Sequence, residues 1–170
     1  MRIHYDNESH AADFIRLNEA WISEYFELEE GDHALARDPM RIVREGGSIL
    51  TLTSRGAVIG ACTVLREDAD TMLLARMAVA ASERGKGWGR ILLAMALQRA
   101  RDLGARRVRL LSNTRLAAAI HLYEAAGFRA VQRGPHPDYA RCDIVMEREL
   151  PPPDPHDGAL PAGPAQEVEA

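Results

Sequence analysis

Three glycines at alternate positions form the part of this chain best suited to bind an anion. The stretch RGKGWG, residues 84–89, follows an apolar strand-like segment and leads directly into an apolar helical run. Glycines leave the peptide N–H groups uncovered by Cβ atoms, and at a helix N-terminus these groups meet the positive end of the helix dipole. Arg84, Lys86 and Arg90 add positive charge. The spacing predicts a phosphate site, although a strand-to-helix turn also needs a glycine for geometry alone.

Two common phosphate loops do not fit this segment. A P-loop has Ser or Thr directly after its lysine to bind the metal ion, whereas Lys86 is followed by Gly87. A dinucleotide fingerprint spaces its glycines GxGxxG and has an acidic residue at the end of the next strand. Here the glycines follow GxGxG, and the next predicted strand ends at Leu111, Ser112 and Asn113. The sequence therefore excludes both patterns.

Two segments resemble the motifs of the GCN5-related N-acetyltransferases (GNAT). The acetyl-coenzyme A motif of that family is Gln or Arg, two residues, Gly, one residue, then Gly or Ala, and here these are Arg84, Gly87 and Gly89. The segment LLSNTRLAAAIHLYEAAGF is similar to the family's next motif, with an Asn after the fifth strand and a Tyr before a Gly-Phe stop. The motifs stand in the family's order, and the resemblance covers about residues 48–149.

The resemblance implies a fold and a cofactor site. The fold is a mixed α/β (α+β) fold of three layers, with a mostly antiparallel sheet of about six or seven strands, helices on both faces, and parallel strands four and five splayed apart. The pantetheine arm of acetyl-coenzyme A would lie in the splay, and its pyrophosphate on the glycine loop. The implied cofactor-binding residues are Met77, Ala78, Val79, Arg84, Gly85, Lys86, Gly87, Trp88, Gly89, Arg90, Asn113 and Tyr123.

The same resemblance implies two catalytic groups. Acetyl transfer from a thioester to an amine requires a neutral amine, a polarised carbonyl and a stabilised leaving thiolate. Tyr123 is assigned to the thiolate, because a phenol with a pKa of about 10 can donate a proton to it. The backbone N–H of Met77 is assigned to the carbonyl. Two structural alternatives stay open: Tyr123 only packs its helix on the sheet, and Asn113 only caps the helix that follows it.

The general base is missing from its expected position. Many family members have Glu on the fourth strand, about four residues before the equivalent of Met77, and here that position is Leu73. Either water relays the proton to a distant group such as Glu29, Asp32 or His136, or the amine arrives already neutral. Leu73 also supports a second hypothesis, an acyl-coenzyme A sensor without catalysis. In a third, the glycine loop is only a turn.

The acceptor pocket is expected between the first helices and the loop that joins the last two strands, since the cofactor fills the centre. The segment SEYFELEEGD is acidic and can attract a cationic amine, unless it is an ordinary solvated helix face. No second metal ligand stands at the usual spacing from the histidine of the loop GPHPDYAR, so we expect no metal. The predicted pocket residues are Glu29, Asp32, His136 and Tyr139.

Periodicity predicts the elements that position these residues. An amphipathic helix with Ser9 as its cap has an apolar face formed by Phe14, Leu17, Trp21 and Tyr25. A strand, a helix and a strand around the glycine loop predict a parallel crossover. The other elements are a short helix ending near Pro39, a hairpin of SILTLTS and AVIGACTVLR, the strand TMLLARMAV, a buried helix from about Trp88 to Leu103, the strand RRVRLLS, a helix LAAAIHLYEAAGF stopped by Gly127, and the strands FRAVQR and CDIVMEREL.

Composition sets the outer limits of the prediction. The chain has 170 residues, 46% of them hydrophobic, which is enough for one domain with a core. We expect an acetyl-coenzyme A-dependent N-acetyltransferase domain at residues 1–150. The segment 151–170 has six of the nine prolines and few large apolar residues, and is predicted to be a disordered tail. Two cysteines, Cys62 and Cys142, are predicted to be buried free thiols.

Charge and hydropathy narrow the class of partner. The net charge of −4 can be assigned to the tail, and the balanced remainder is unlike a general nucleic-acid binder. Neither an apolar stretch of membrane-spanning length nor a secretory signal is seen, so the expected location is the cytoplasm, away from the membrane. The expected partner is an amine on a small molecule or a peptide, and a homodimer is left open.

Overall fold

The computed structural model describes residues 1–152 and 166–167. Most of the predicted tail, residues 151–170, therefore lies outside the described residues, and its disorder stays a prediction. Among the helices of the described part, none combines the length and the apolar character needed to cross a bilayer.

The elements follow the predicted order along the chain. The strands are β1 (Arg2–Tyr5), β2 (Ser48–Ser54), β3 (Ala57–Arg66), β4 (Thr71–Val79), β5 (Arg107–Ser112), β6 (Arg129–Arg133), β7 (Ile144–Glu149) and β8 (Gln166–Glu167). The helices are α1 (Ala11–Tyr25), α2 (Glu30–Arg37), α3 (Arg41–Arg44), α4 (Trp88–Asp102) and α5 (Ala117–Ala125).

All these strands belong to one sheet, in the order β6-β7-β5-β4-β3-β2-β1-β8. Neighbouring strands are antiparallel except β4 and β5, which are parallel and are joined through α4. The predicted fold class and the parallel crossover are therefore confirmed. The two-residue β8 adds an eighth strand at the edge, beyond the predicted six or seven.

Helices cover both faces of the sheet because its central strands are apolar on both sides. Ile49 and Leu50 are adjacent in β2 and belong to different apolar clusters. One cluster contains Phe14 and Leu17 of α1, whereas the other contains Leu92 of α4 and receives side chains of α5. Burial of a large aliphatic or aromatic side chain contributes about 1.5–3 kcal/mol. These two clusters hold the helices that carry the candidate site.

The N-terminal region departs from the prediction. The predicted cap, Ser9, lies in a 3-10 turn, Glu8–His10, which is capped by Asn7, and α1 begins at Ala11 with no side-chain cap. The Ser9 hydroxyl donates a hydrogen bond to Asn7 Oδ1 at 2.7 Å, so the side chain expected to cap the helix is used within the turn. The prediction also missed β1 and α3, because four-residue elements are too short to establish a hydrophobic period.

Both cysteines are buried and free, as predicted. Cys62 lies in β3, where burial raises the pKa of its thiol. A thiol that stays protonated is a poor nucleophile. Cys62 therefore acts as a small apolar side chain of the core beneath the candidate site.

Candidate functional site

A cleft opens where the parallel strands part. β4 and β5 pair from Thr71 opposite Arg107 to Leu74 opposite Leu110. Beyond that point β4 stays paired with β3 as far as Val79, while β5 stays paired with β7. The two strands therefore diverge, as predicted, and leave backbone of both strands unpaired along the cleft.

A β-bulge lies on the β4 side of this cleft. Ala61 pairs with Ala78 and Thr63 with Ala75, so Cys62 alone stands opposite both Arg76 and Met77. Arg76 has a φ of 57°, in the left-handed region that is unfavourable for residues other than glycine. Such a conformation costs about 1–3 kcal/mol and persists only where the surrounding structure imposes it. The bulge takes one residue out of the ladder at the predicted catalytic position.

The cleft widens into a cavity of about 420 Å³. It contains both predicted catalytic residues and several of the predicted cofactor-binding residues. Those that line it are Met77, Ala78, Val79, Arg84, Asn113 and Tyr123. The remaining walls come from the end of α1, the bulge, the start of α5 and the loop between β6 and β7.

Tyr123 is held by the end of its helix. Gly127 has a φ of 88° and ends α5, and the backbone N–H of Phe128 donates to the carbonyl of Tyr123 at 3.0 Å. The Tyr123 and Phe128 rings pack edge to face, with their centroids 6.0 Å apart. Burial, with a smaller contribution from Cys62, raises the pKa of Tyr123 to about 12. Tyr123 is therefore a neutral phenol at physiological pH, and its hydroxyl carries a proton that it can donate.

The glycine loop leaves its amides open. Gly85 and Gly87 have φ values of 77° and 86°, and a Cβ atom at either would meet no atom within 4 Å. Gly87 is the N-cap of α4 and supplies no side chain to that helix end. Among the described residues, none accepts a hydrogen bond from the backbone N–H groups of residues 85–90. These amides at the positive end of a 15-residue helix fit a diphosphate.

The basic side chains around the loop differ in whether they already form an ion pair. Arg84 forms an ion pair with Glu24 at 2.8 Å, and Lys86 forms one with Glu83 at 3.0 Å. Arg90 is exposed and forms no ion pair with any described residue. Arg90 is thus the predicted phosphate contact with the most freedom to make it.

Both polar atoms of the Asn113 side chain form hydrogen bonds. Its Oδ1 accepts from the backbone N–H of Arg115 at 3.0 Å, and its Nδ2 donates to the carbonyl of Arg141 at 3.2 Å. This is a turn before α5, whose N-cap is Leu116, and not a direct helix cap. The side chain joins β5 to the loop over the cavity, and its contact with a cofactor stays a prediction.

Asp32 does not face the cavity, although the sequence placed it in the acceptor pocket. Its side chain is only 1% exposed and accepts hydrogen bonds from Arg76 and Arg141. Burial alone would raise the pKa of Asp32, but hydrogen bonds from Arg141, the backbone N–H of Glu29 and Arg76 outweigh it and hold the pKa well below its usual range. Asp32 is therefore unsuited to accept a proton, and it positions two arginines instead of an amine.

Of the other predicted pocket residues, one reaches the cavity. Tyr139 lines it and is 52% exposed. Glu29 is the N-cap of α2, where it forms a reciprocal capping box with Asp32. The Nδ1 atom of His136 accepts from the backbone N–H of Asp138 at 3.1 Å, which closes a tight turn in the loop outside the cavity. Local backbone bonding thus accounts for two of the polar groups assigned to the acceptor.

No carboxylate or imidazole is found on the cavity wall among the described residues, and Leu73 occupies the expected base position there. The wall instead carries two arginines that were not among the predicted site residues, Arg76 and Arg141. The signal for Arg76 was a single charge inside the apolar strand TMLLARMAV. Within the described residues, no three His, Cys, Asp or Glu side chains are grouped to hold a metal ion.

Comparisons with known proteins agree with this geometry. The model of the Acetyltransferase (GNAT) family matches residues 14–128. A curated relative, the uncharacterized N-acetyltransferase YjgM of Escherichia coli (strain K12), is 34% identical over 98 residues, which are 54% of this chain and 55% of the relative. The chain therefore matches about half the length of that relative.

Solved structures share the fold at low identity. An acetyltransferase of the GNAT family from Staphylococcus aureus Mu50 has a TM-score of 0.76 at 18% identity, over 88% of this chain and 99% of that one. YncA from Salmonella typhimurium, solved with its cofactor acetyl-CoA, has a TM-score of 0.69 at 21% identity, over 88% and 93% of the two chains. Since the family model spans more than half of the sequence, and the cleft and glycine loop lie where its motifs place them, the chain belongs to the acetyltransferase (GNAT) family.

Proposed function

We propose that this protein is an N-acetyltransferase that moves the acetyl group of acetyl-coenzyme A to an amine by direct transfer within a ternary complex. The observation that carries the proposal is the row of amides at residues 85–90, which have no hydrogen-bond acceptor among the described residues, beside a cleft whose walls include Met77 and Tyr123. If the glycine loop were only a turn, the cleft between β4 and β5 beside it would have no role.

The residues of the chain divide the binding between them. The amides of residues 85–90 hold the diphosphate, with Arg90 free to add a charged contact. The unpaired edge of β4 from Met77 to Val79 holds the pantetheine arm. The thioester supplies the acetyl group when it is bound. The bulge places the backbone of Met77 at the head of the cleft, where its N–H is suited to polarise the carbonyl.

Tyr123 completes the chemistry on the leaving side. As the new C–N bond forms and the C–S bond breaks, the Tyr123 hydroxyl donates its proton to the sulfur. The resulting phenolate then regains a proton from solvent, to which the amine has released its own. Its raised pKa ensures that the proton is present at any physiological pH. A well-placed acid of this kind contributes on the order of 10²–10⁴ in rate.

The proton of the acceptor amine goes to solvent. Because the described cavity wall offers neither carboxylate nor imidazole, the acceptor enters as the neutral amine and releases its proton to water. The same observation favours a second candidate function, an acyl-coenzyme A sensor that binds the thioester without transfer. Leu73 at the base position is its main support.

Two measurements separate these functions. Titration calorimetry with acetyl-coenzyme A tests binding, and release of free coenzyme A with a panel of amines tests transfer. We expect amine-dependent release, with a kcat lower by about 10²–10⁴-fold in Tyr123→Phe and an unchanged Kd for acetyl-coenzyme A. Tyr25→Phe removes a hydroxyl outside the cavity and should keep full activity. Binding without release on any amine would favour the sensor, and no heat of binding would refute both.

A further inference from the structure

We infer that the acceptor is a small amino acid-like molecule, an amine that also carries a carboxylate and an apolar side chain. The inference rests on the proposed function and deepens it. It is carried by two arginines of the cavity wall, Arg76 and Arg141, which we call the arginine pair, and by Asp32, the buried carboxylate that they share.

The hydrogen-bonding capacity of the aspartate is fully used. Asp32 accepts from Arg76 Nη1, from Arg141 Nη1 at 2.8 Å, from Arg141 Nη2 at 3.1 Å and from the backbone N–H of Glu29 at 2.7 Å. A carboxylate has about four lone-pair sites, so Asp32 has no capacity left for a ligand. Two guanidinium charges therefore share one buried carboxylate charge, and the cluster itself has a surplus of one positive charge. The Glu29 carboxylate also stabilises the charge of Arg141, but it lies off the cavity wall.

The arginines retain donors that the protein does not use. Arg76 is 23% exposed and Arg141 is 26% exposed, and both line the cavity. A guanidinium has five N–H groups, of which Arg76 uses one, on Asp32, with no other partner among the described residues. Arg141 uses three, two on Asp32 and one on the carbonyl of Glu27 at 3.1 Å. Planar forks with free N–H groups suit the geometry of a carboxylate.

Nothing on the described wall offsets this charge. The third arginine of the cavity, Arg84, is neutralised by Glu24 outside it, and no acidic residue lines the cavity. A polyamine would meet like charge here, which opposes the expectation of an acidic pocket. A carboxylate would meet the surplus positive charge, one residue along β4 from Met77.

Much of the remaining wall is apolar and suits the other half of the acceptor. Trp21, Ile22 and Phe26 come from the end of α1, and Leu65 and Leu73 come from β3 and β4. They offer an apolar side chain a place next to the arginine pair. The cavity of about 420 Å³ must also admit the thioester, so the space left beside it suits a small acceptor.

The test uses acceptors that differ only in the carboxylate. Leucine, methionine and phenylalanine are each compared with their amides and with the corresponding decarboxylated amines. Release of coenzyme A gives kcat/KM, corrected for the fraction of neutral amine at the assay pH. A charged hydrogen bond is worth enough to predict a preference for the acid of at least about tenfold over its amide. Spermidine should be a poorer acceptor than any of the three acids.

Variants assign the preference to the arginine pair. Arg141→Gln and Arg76→Gln should each bring the ratio of acid to amide kcat/KM toward one. Calorimetry should give an unchanged Kd for acetyl-coenzyme A, and circular dichroism checks that each variant is folded. The control is Arg129→Gln, an exposed β6 arginine outside the cavity, which should leave the ratio as it is.

The outcomes distinguish this inference from the proposed function. Equal kcat/KM for acids and amides in the unmodified protein, or a preference for spermidine, would overturn the inference and leave the acetyltransferase standing. This comparison needs no variant, so it holds even if both arginine variants fail to fold. If none of the amines tested supports release of coenzyme A, the inference and the acetyltransferase function are overturned together.

Discussion

The glycine at the N-terminus of α4 offers a direct test of the phosphate site. Gly87→Val places a branched side chain where φ is 86°, in space that is open in the structure. Since no atom stands within 4 Å of the new Cβ, the cost to folding comes from the backbone alone, about 1–3 kcal/mol. In a domain of this size, each kcal/mol lowers the melting temperature by about 2–4 °C.

The cost to binding is separate from the cost to folding. The side chain projects from the loop that would carry the diphosphate and keeps it from at least one amide. A hydrogen bond to a charged group is worth about 1.5–3 kcal/mol, so Kd for acetyl-coenzyme A should rise by about 10- to 150-fold. Titration calorimetry on the folded variant measures this directly.

The chain contains a matched control at the other end of the same helix. Gly104 has a φ of 89°, and a Cβ atom there would likewise meet no atom within 4 Å. Gly104→Val should therefore lower the melting temperature to a similar extent and leave Kd unchanged. Equal Kd values for Gly87→Val and the unmodified protein, or an equal loss in both variants, would refute the phosphate site.

Two further predictions concern protons. The logarithm of kcat/KM should rise by one unit per pH unit up to the pKa of the acceptor amine. The pH of this inflection should change from one acceptor to the next, as the pKa of the amine changes. An inflection at the same pH for every acceptor would instead reveal a base in the protein. Asp32→Asn should lower the free energy of unfolding by about 2–4 kcal/mol near pH 7, because it leaves two partly buried arginines without their anion. The folded state lowers the pKa of Asp32, so the Asp32 carboxylate stabilises the fold fully at pH values above its ordinary pKa of about 4. This stabilisation is lost as the pH falls below about 4 and the carboxyl becomes protonated. Urea denaturation should show the difference between the two proteins shrinking below about pH 4, and a constant difference at every pH would contradict this account.

The sequence predicted those parts of the molecule in which local pattern and tertiary structure agree. The strand TMLLARMAV, the glycine loop and the helix after it are long and strongly patterned, and β4 and α4 have nearly the predicted bounds. Gly127 predicted the end of α5 because its left-handed conformation is needed there. The order of these elements was enough to predict the parallel crossover, whereas the splay was implied by the resemblance to the GNAT family.

The acceptor side could not be predicted in the same way, because its contacts join distant segments. Asp32 meets Arg76 and Arg141 across 44 and 109 residues, and no local pattern indicates such pairs. In the sequence, Asp32 was one of several acidic residues on a helix and looked available to a cation. Its burial under two arginines reverses the charge expected of the pocket.

The narrow seam between β4 and β5 has a mechanical consequence. Four residue pairs join these strands, so the antiparallel blocks on either side meet only at the closed end of the cleft. A ligand arm that bonds to both open edges would supply the missing rungs between the blocks. Loading of the cleft should therefore also stiffen the sheet, and slower amide exchange along β4 and β5 would report it.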